Sequence, residues 1–285
     1  MSKTNDKKKT VQTFISKKAK GEKIAVLTAY DYYMAKLLDQ ADIDAVLVGD
    51  SAANVVHGFD STLPITMDIM VAHTAAVARG AAKALVIADM PFLSFQPSVE
   101  MAVANAGRFL KEGQAKAVKI EGGIEMAATV KRVIECGIPV MGHIGLTPQS
   151  IHRFGGPKVQ GKEKKSVAYL MESALALEEV GCFSIVLELI DAAAACEITA
   201  ALKKAATIGI GAGSHCDGQV LVTNDILGLR EGDFKPKFLR TYADLPPIIT
   251  AAVKKYIDDV RRGDYPGEGE SYHSCLLYTS DAADE

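Results

Sequence analysis

The sequence lacks any paired-cysteine motif. Its five cysteines are odd in number, widely spaced and never arranged as CxxC, so neither a zinc knuckle nor a disulfide framework is indicated. Unpaired thiols are typical of a reducing compartment, and we therefore expect a cytoplasmic protein. The cysteines are Cys136, Cys182, Cys196, Cys216 and Cys275.

An excess of basic charge and long apolar runs are also missing. The formal net charge is −3 and the Lys and Arg residues are scattered, whereas a nucleic-acid groove needs a concentrated basic face. No apolar run approaches the roughly 18 residues that span a bilayer. The lysine-rich start, MSKTNDKKKT, has no apolar signal segment behind it. We expect neither a nucleic-acid partner nor a membrane partner.

The length and composition fit one large domain. The chain has 285 residues, of which 48% are hydrophobic, and a single (β/α)₈ barrel typically needs about 250 residues. We predict a flexible N-terminal tail over 1–13 and one domain over 14–274. Residues 275–285, CLLYTSDAADE, continue no packing pattern. We interpret them as a non-native tail that resembles the translated frame of a transposon-type adapter.

Short β-branched apolar runs recur along the chain, each followed by a turn and an alanine-rich stretch of helical length. Strands that are apolar throughout are typical of a parallel sheet covered by helices. Seven runs are clear and an eighth is predicted within 218–229, which favours a closed (β/α)₈ TIM barrel. An open doubly wound sheet is the alternative, although no GxGxxG follows the first strand. The seven runs are 23–30, 44–50, 84–90, 117–123, 138–145, 183–190 and 206–213.

Acidic residues stand at the ends of successive predicted strands. In a (β/α)₈ enzyme the C-terminal strand ends converge on one face, where the active site lies. A single acid there usually has a structural partner, but Asp50, Asp89 and Glu121 in one small volume would repel one another unless a cation joined them. An oxygen-only ligand set suits Mg²⁺ rather than zinc. Provided that the barrel closes, we predict a magnesium site.

Other polar residues share these strand ends. Lys119 precedes Glu121 by two positions, and Glu188 lies at the end of the sixth predicted strand. His143, in the fifth, either hydrogen-bonds the substrate or orients a ligand, or is a satisfied core residue. The long loop 146–163 is able to fold over the barrel mouth. It contains FGGPKVQGK, which is either a mobile lid or a solvated charged loop.

Nine short motifs resemble the ketopantoate hydroxymethyltransferase family. They occur in that family's order and span about residues 14–273. The resemblance implies a (β/α)₈ barrel of the phosphoenolpyruvate/pyruvate type, and a homo-oligomer that is commonly a decamer. The motifs are LVGDS (47–51), DSTLPIT (60–66), ADMPF (88–92), VKIEGG (118–123), PVMGHIGLTPQS (139–150), FGGPKVQGK (154–162), LELI (187–190), IGIGAG (208–213) and HCDGQVLV (215–222).

The resemblance also implies a reaction and the residues for it. A hydroxymethyl group passes from 5,10-methylenetetrahydrofolate to 3-methyl-2-oxobutanoate through a Mg²⁺-stabilised enolate, giving ketopantoate in pantothenate biosynthesis. Glu188 is then the base that removes the C3 proton. The implied metal ligands are Asp50, Asp89 and Glu121. The implied oxo-acid contacts are Asp50, Ser51, Asp89 and Lys119, to which its strand-end position adds His143.

Two positions depart from the family's pattern. After LVGDS the family usually continues with Leu-Gly-Met, whereas this chain has Ala52-Ala53-Asn54. After LELI the family usually has Pro, whereas this chain has Asp191. Both positions flank predicted site residues.

Two further functions stay open at the level of the sequence. One is a Mg²⁺-dependent carbon–carbon lyase or mutase that acts on another 2-oxo acid without folate. The other is a non-catalytic, oligomeric metabolite-binding protein, although the retention of all four acids and Lys119 argues against it.

Overall fold

A computed structural model describes residues 7–230 and 235–273 of the chain. Within these ranges eight parallel strands pair in chain order, and the last pairs with the first to close a barrel. The (β/α)₈ prediction is therefore confirmed, and the open-sheet alternative is wrong. The strands are β1 Ile24–Thr28, β2 Ala45–Val48, β3 Leu85–Asp89, β4 Ala117–Glu121, β5 Val140–Gly145, β6 Ser184–Glu188, β7 Ala206–Ile210 and β8 Gly218–Leu221.

Helices connect the strands and cover much of the outside of the barrel. Several begin at a side chain that accepts a hydrogen bond from a first-turn amide, as Thr66 and Ser98 do, which satisfies a donor that the helix itself leaves unpaired. No described helix is long and apolar enough to cross a membrane. The helices are α1 Val11–Lys20, α2 Tyr32–Gln40, α3 Ala52–Val55, α4 Met67–Gly80, α5 Val99–Lys111, α6 Ala127–Glu135, α7 Ile151–Phe154, α8 Lys164–Glu179, α9 Ala192–Ala201, α10 Thr223–Ile226 and α11 Leu245–Arg262.

The two-residue period of the strands separates an apolar barrel interior from a polar end. Every second side chain of a strand points inward. On β3 the inward side chains are those of Leu85, Ile87 and Asp89. On β4 they are those of Ala117, Lys119 and Glu121. Apolar side chains therefore fill the lower interior, and charged ones come last. The polar inward side chains therefore lie at the C-terminal mouth of the barrel.

Helix α1 closes the opposite, N-terminal end of the barrel. Phe14 is fully buried there, and its ring meets that of Phe183 edge to face at 5.4 Å between centroids. Lys17 pairs at 2.6 Å with Asp44, which directly precedes β2. Because α1 begins at Val11, regular structure starts inside the range predicted as a flexible tail. The predicted non-native tail, 275–285, lies outside the described residues.

Among the residues that the structure describes, none covers the apolar face of the last helix, α11. None of its residues is buried. On the outer surface of the barrel, β1 and β8 border an apolar groove of about 410 Å³, lined in part by Leu27, Leu221 and Tyr242. Four exposed apolar residues of α11 recur at the three- and four-residue spacing of one helix face. They are Ile249, Val253, Tyr256 and Val260.

Candidate active site

The polar residues predicted at the strand ends meet at the C-terminal mouth of the barrel. The strand register brings them together, because Asp89 is paired with Lys119 and Glu121 with His143. These four side chains are buried, as is that of Asp50, which follows β2 by two residues. The side chain of Glu188, at the end of β6, is 19% exposed and so borders the open mouth. The side chains predicted at the strand ends therefore lie together at the mouth, and their roles stay predictions.

Lys119 is the cation at the centre of this cluster. Its Nζ lies 2.9 Å from Asp89 Oδ1 and 3.6 Å from Glu121 Oε1. Burial disfavours the ammonium, but the charges of Asp89, Glu121 and Asp50 raise the pKa of Lys119 above its usual value. The lysine is therefore charged at neutral pH, and it offers positive charge to an anionic ligand.

Asp50 is a carboxyl group whose ionised form is disfavoured in this cluster. Burial, together with the negative charges of Asp89 and Glu121, raises the pKa of Asp50 well above its usual value. The pKa of Asp89 is also raised by burial, although Lys119 opposes the shift. Burial acts on Glu121 in the same direction, but Lys119 and His143 outweigh it and lower its pKa. The cluster thus holds more acidic groups than one ammonium balances.

His143 links the lysine to Glu188. Its Nδ1 lies 3.1 Å from Lys119 Nζ and 3.4 Å from Glu121 Oε1. Burial and the charge of Lys119 disfavour protonation of the ring, but Glu121 and Glu188 outweigh them and raise the pKa of His143 to about 9. Its Nε2 lies 3.2 Å from Glu188 Oε2, without an aligned hydrogen bond. Contacts of this kind often tighten only when the substrate is bound. The structure therefore places His143 among the charged groups of the mouth.

Gln149 is a site residue that the sequence reasoning missed. It is buried, and its amide nitrogen donates to Asp50 Oδ2 at 3.1 Å and to the Met90 carbonyl at 2.9 Å. Its backbone N–H donates to Glu121 Oε2 at 3.1 Å. One residue thus holds two of the predicted metal ligands. Its only signal in the sequence is its place in the motif PVMGHIGLTPQS, directly after β5.

Ser51 is positioned by a second residue that the sequence did not single out. The hydroxyl groups of Ser51 and Tyr30 lie 2.8 Å apart. Burial raises the pKa of Tyr30 to about 12, although its hydrogen bond with Ser51 opposes the shift. The phenol therefore stays neutral and keeps its proton for this contact.

The two departures from the family pattern have local structural roles. Asp191 precedes α9, and its side chain accepts hydrogen bonds from the amides of Ala193 and Ala194. It therefore supplies the N-terminal cap that this helix needs. Ala52 and Ala53 are fully buried in α3, next to the site.

No closed metal site exists in the described parts of the chain. In 7–230 and 235–273, no three His, Cys, Asp or Glu side chains are arranged to hold an ion. The reason is visible in the contacts, because Lys119 stands between Asp89 and Glu121 and Gln149 occupies Asp50 Oδ2. The metal role of Asp50, Asp89 and Glu121 therefore stays a prediction.

A closed (β/α)₈ barrel with ionisable groups gathered at its C-terminal mouth defines the protein as an enzyme of the barrel class. The model of the family described as ketopantoate hydroxymethyltransferase matches residues 8–268. The chain belongs to that family.

Close relatives support the assignment over their whole length. The 3-methyl-2-oxobutanoate hydroxymethyltransferase of Geobacter metallireducens is 52% identical, over 94% of this chain and 99% of its own. That of Syntrophotalea carbinolica is 55% identical, over 93% of this chain and 99% of its own. The activity is therefore that of a hydroxymethyltransferase. This excludes the non-catalytic alternative and favours transfer over the lyase or mutase alternative.

Solved structures share the fold at low sequence identity. A phosphonopyruvate hydrolase determined with oxalate and Mg²⁺ aligns with a TM-score of 0.57 and 13% identity, over 92% of this chain and 93% of that chain. A 2,3-dimethylmalate lyase of the PEP mutase/isocitrate lyase superfamily aligns with a TM-score of 0.56 and 16% identity, over 92% and 91%. These likenesses show the (β/α)₈ barrel fold that the sequence predicted.

Replacing Gln149→Ala should lower kcat/KM for ketopantoate formation by about 10- to 100-fold, a loss typical for a residue that orients metal ligands or catalytic carboxylates. The change removes the donor to Asp50 while leaving the backbone contact with Glu121. Steady-state kinetics measure the loss, and circular dichroism checks the fold. Gln12→Ala, at an exposed position of α1, is the control and should behave as wild type. A Gln149→Ala enzyme with wild-type kinetics would contradict the role.

Proposed function

We propose that the protein transfers a hydroxymethyl group from 5,10-methylenetetrahydrofolate to 3-methyl-2-oxobutanoate with the help of Mg²⁺. The names of the relatives support ketopantoate as the product. The donor and the metal rest on the chemistry of the site. The observation that carries the proposal is the buried cluster of three carboxylates around Lys119, next to the partly exposed carboxyl group of Glu188.

The residues of the cluster fit a divalent cation. Asp50, Asp89 and Glu121 offer only oxygen ligands, the type that Mg²⁺ prefers. Glu121 Oε1 is buried without a hydrogen bond among the described residues. Burial, together with the negative charges of Asp89 and Glu121, raises the pKa of Asp50. When bound, the cation would act as a Lewis acid and stabilise negative charge on the ketone oxygen of the substrate.

Glu188 is the proposed base for the C3 proton of the oxo acid. It is the acidic residue of the cluster that borders the open mouth, and it does not contact Lys119 directly in the structure. The contact between His143 Nε2 and Glu188 Oε2, at 3.2 Å, keeps this carboxyl group beside the charged cluster. We therefore assign His143 a role in positioning Glu188, in addition to the substrate contact expected from its position at a strand end.

The remaining residues orient the oxo acid. Lys119 supplies positive charge for the substrate carboxylate or for the negative charge that develops as the C3 proton leaves. The Ser51 hydroxyl, held by Tyr30, is placed to donate a hydrogen bond to the substrate. Asp50 and Asp89 are the other proposed contacts of the oxo acid, and together with Glu121 they would hold the ion.

The atoms of the proposed reaction balance with one water. A carbon–carbon bond forms between C3 of the oxo acid and the methylene carbon of the donor. The bonds from that carbon to the folate nitrogens break, and water supplies the hydroxyl group of the product. The C3 proton, taken by Glu188, and the remaining proton of the water protonate the two nitrogens of the leaving tetrahydrofolate.

Changing Glu188→Gln should slow exchange of the C3 proton by at least about 100-fold, because an amide is not a base. Exchange is measured by NMR with 3-methyl-2-oxobutanoate and Mg²⁺ in D₂O, without folate. Glu179→Gln, an exposed residue of α8, is the matched control and should exchange normally. Exchange by Glu188→Gln at the wild-type rate would reject Glu188 as the base.

Removing the metal should abolish ketopantoate formation, and Asp89→Asn should raise the Mg²⁺ concentration needed for half-maximal rate, because one charged ligand is lost. The assay compares chelated enzyme with enzyme titrated with Mg²⁺. Asp68→Asn, at an exposed ion pair with Arg108, changes the same group far from the site and should leave the Mg²⁺ requirement unchanged. Full activity after exhaustive chelation would refute the proposed metal dependence.

We further propose a homo-oligomer, a decamer by resemblance to the family. Support comes from two uncovered apolar surfaces, namely the face of α11 and the groove between β1 and β8. An exposed apolar surface of this kind often marks a protein interface. Absence of nucleic-acid and membrane partners and a cytoplasmic location stay predictions.

Introducing a charge by Val253→Asp on the apolar face of α11 should reduce the sedimentation coefficient, because an unpaired carboxylate would be buried at the interface. Ala251→Asp introduces the same charge on the opposite side of the helix and should preserve the assembly. A wild-type protein that sediments as a monomer would contradict the proposal.

A further inference from the structure

A second recess adjoins the charged cluster and has no role in the reaction steps described so far. This cleft has a volume of about 340 Å³ and lies between the segments that follow β4 and β5. Glu121 and Gln149 form its inner wall. Gly145, which is paired with Glu188 across the sheet, also borders it. A molecule in the cleft would therefore lie beside the groups that act on the oxo acid.

The walls of the cleft suit a ligand with a flat, partly apolar ring. Met126, Ile144, Phe154 and Tyr169 line it. Its volume lies at the lower end of the roughly 300–1,000 Å³ found for pockets that bury small-molecule ligands. A short 2-oxo acid would leave most of these apolar walls uncovered, and its charge is met by Lys119 in the barrel mouth instead. The cleft thus fits a larger second substrate.

One carboxylate in the wall is held in a fixed position. Glu125 accepts hydrogen bonds from the Tyr169 hydroxyl at 2.7 Å and from the Gly123 amide at 3.1 Å. Burial opposes ionisation, but the bond from Tyr169 and those from backbone amides lower the pKa of Glu125, so that it is charged at neutral pH. An ionised carboxylate only accepts hydrogen bonds, and it pairs well with two adjacent N–H groups.

We propose that this cleft binds the reduced pterin ring of the one-carbon donor, with Glu125 accepting hydrogen bonds from the ring's 2-amino group and the neighbouring ring N–H. The inference rests on the proposed function, since it assigns a place to the donor of that reaction. The aromatic side chains of Phe154 and Tyr169 cover the ring. The inner end of the cleft brings the methylene carbon toward the barrel mouth.

A basic side chain in the wall of the cleft matches the acidic end of the same ligand. Arg153 lines the cleft. The glutamate part of a folate carries carboxylates, which this cation attracts. In the proposed pose the pterin points toward the barrel mouth and the glutamate points outward.

Glu125→Gln should raise KM for methylenetetrahydrofolate at least about 10-fold, because a charge-assisted contact with the ring is lost. KM for 3-methyl-2-oxobutanoate and the donor-independent exchange of the C3 proton should stay close to wild type. Calorimetric titration of the full-length protein with tetrahydrofolate should show a matching loss of affinity. Glu135→Gln, an exposed residue of α6, is the matched control.

A second pair of variants tests the proposed contact between Arg153 and the glutamate part of the ligand. Arg153→Ala should weaken tetrahydrofolate binding, and should weaken a polyglutamylated form more strongly. Arg132→Ala, exposed on α6, removes the same group elsewhere and should bind both forms as wild type does.

The outcomes separate this assignment from the proposed function. Wild-type protein that makes no ketopantoate from the folate donor would overturn both. Wild-type turnover with unchanged donor KM and unchanged tetrahydrofolate affinity in Glu125→Gln would overturn the cleft assignment alone. Equal loss of proton exchange and of donor affinity in Glu125→Gln would also overturn it, because the residue would then act on the whole site.

Discussion

The active-site end of this protein depends on an imbalance of buried charge. Asp50, Asp89 and Glu121 share one small volume with the single ammonium of Lys119. Two unit charges about 4 Å apart interact by roughly 4 kcal/mol at an effective dielectric of about 20, so one lysine does not offset the mutual repulsion of three carboxylates. Burial, together with this repulsion, raises the pKa of Asp50. The same imbalance favours the binding of the proposed divalent cation, which would act as a Lewis acid.

Because the barrel is closed, the charged side chains lie together at its C-terminal end and do not disrupt the apolar packing below them. The inward side chains along each strand change from apolar to charged toward the C-terminal end, so the lower interior packs without polar groups. Helix α1 covers the other end, where Phe14 is buried against Phe183. The apolar packing that stabilises the barrel thus lies toward its N-terminal end, and the proposed reactive groups lie at its C-terminal end. A site of this kind can hold groups that would destabilise the middle of the sheet.

The mouth divides into two regions with different chemistry. The inner region is charged and small, and it suits a short oxo acid held near Lys119 and Glu188. The outer cleft has aromatic walls and a fixed carboxylate, Glu125, and it suits a ring with polar edges. Gln149 belongs to both regions, since it contacts Asp50 and lines the cleft. This arrangement would let the enzyme activate one substrate while the second arrives beside it.

The sequence by itself determined the barrel, the order of its strands and the acids at their ends, because hydrophobic period and strand-end position are local properties that can be read along the chain. Even the eighth strand fell within the range predicted for it. The partners of those acids were decided only by the tertiary structure. Gln149 lies in a single 3-10 turn, Pro148–Ser150, and Tyr30 lies in a loop, so no strand-end pattern marks either residue. Their contacts with Asp50 and Ser51 join separate segments of the chain. The exposed position of α11 likewise depends on how the chain leaves the barrel, which no local pattern encodes.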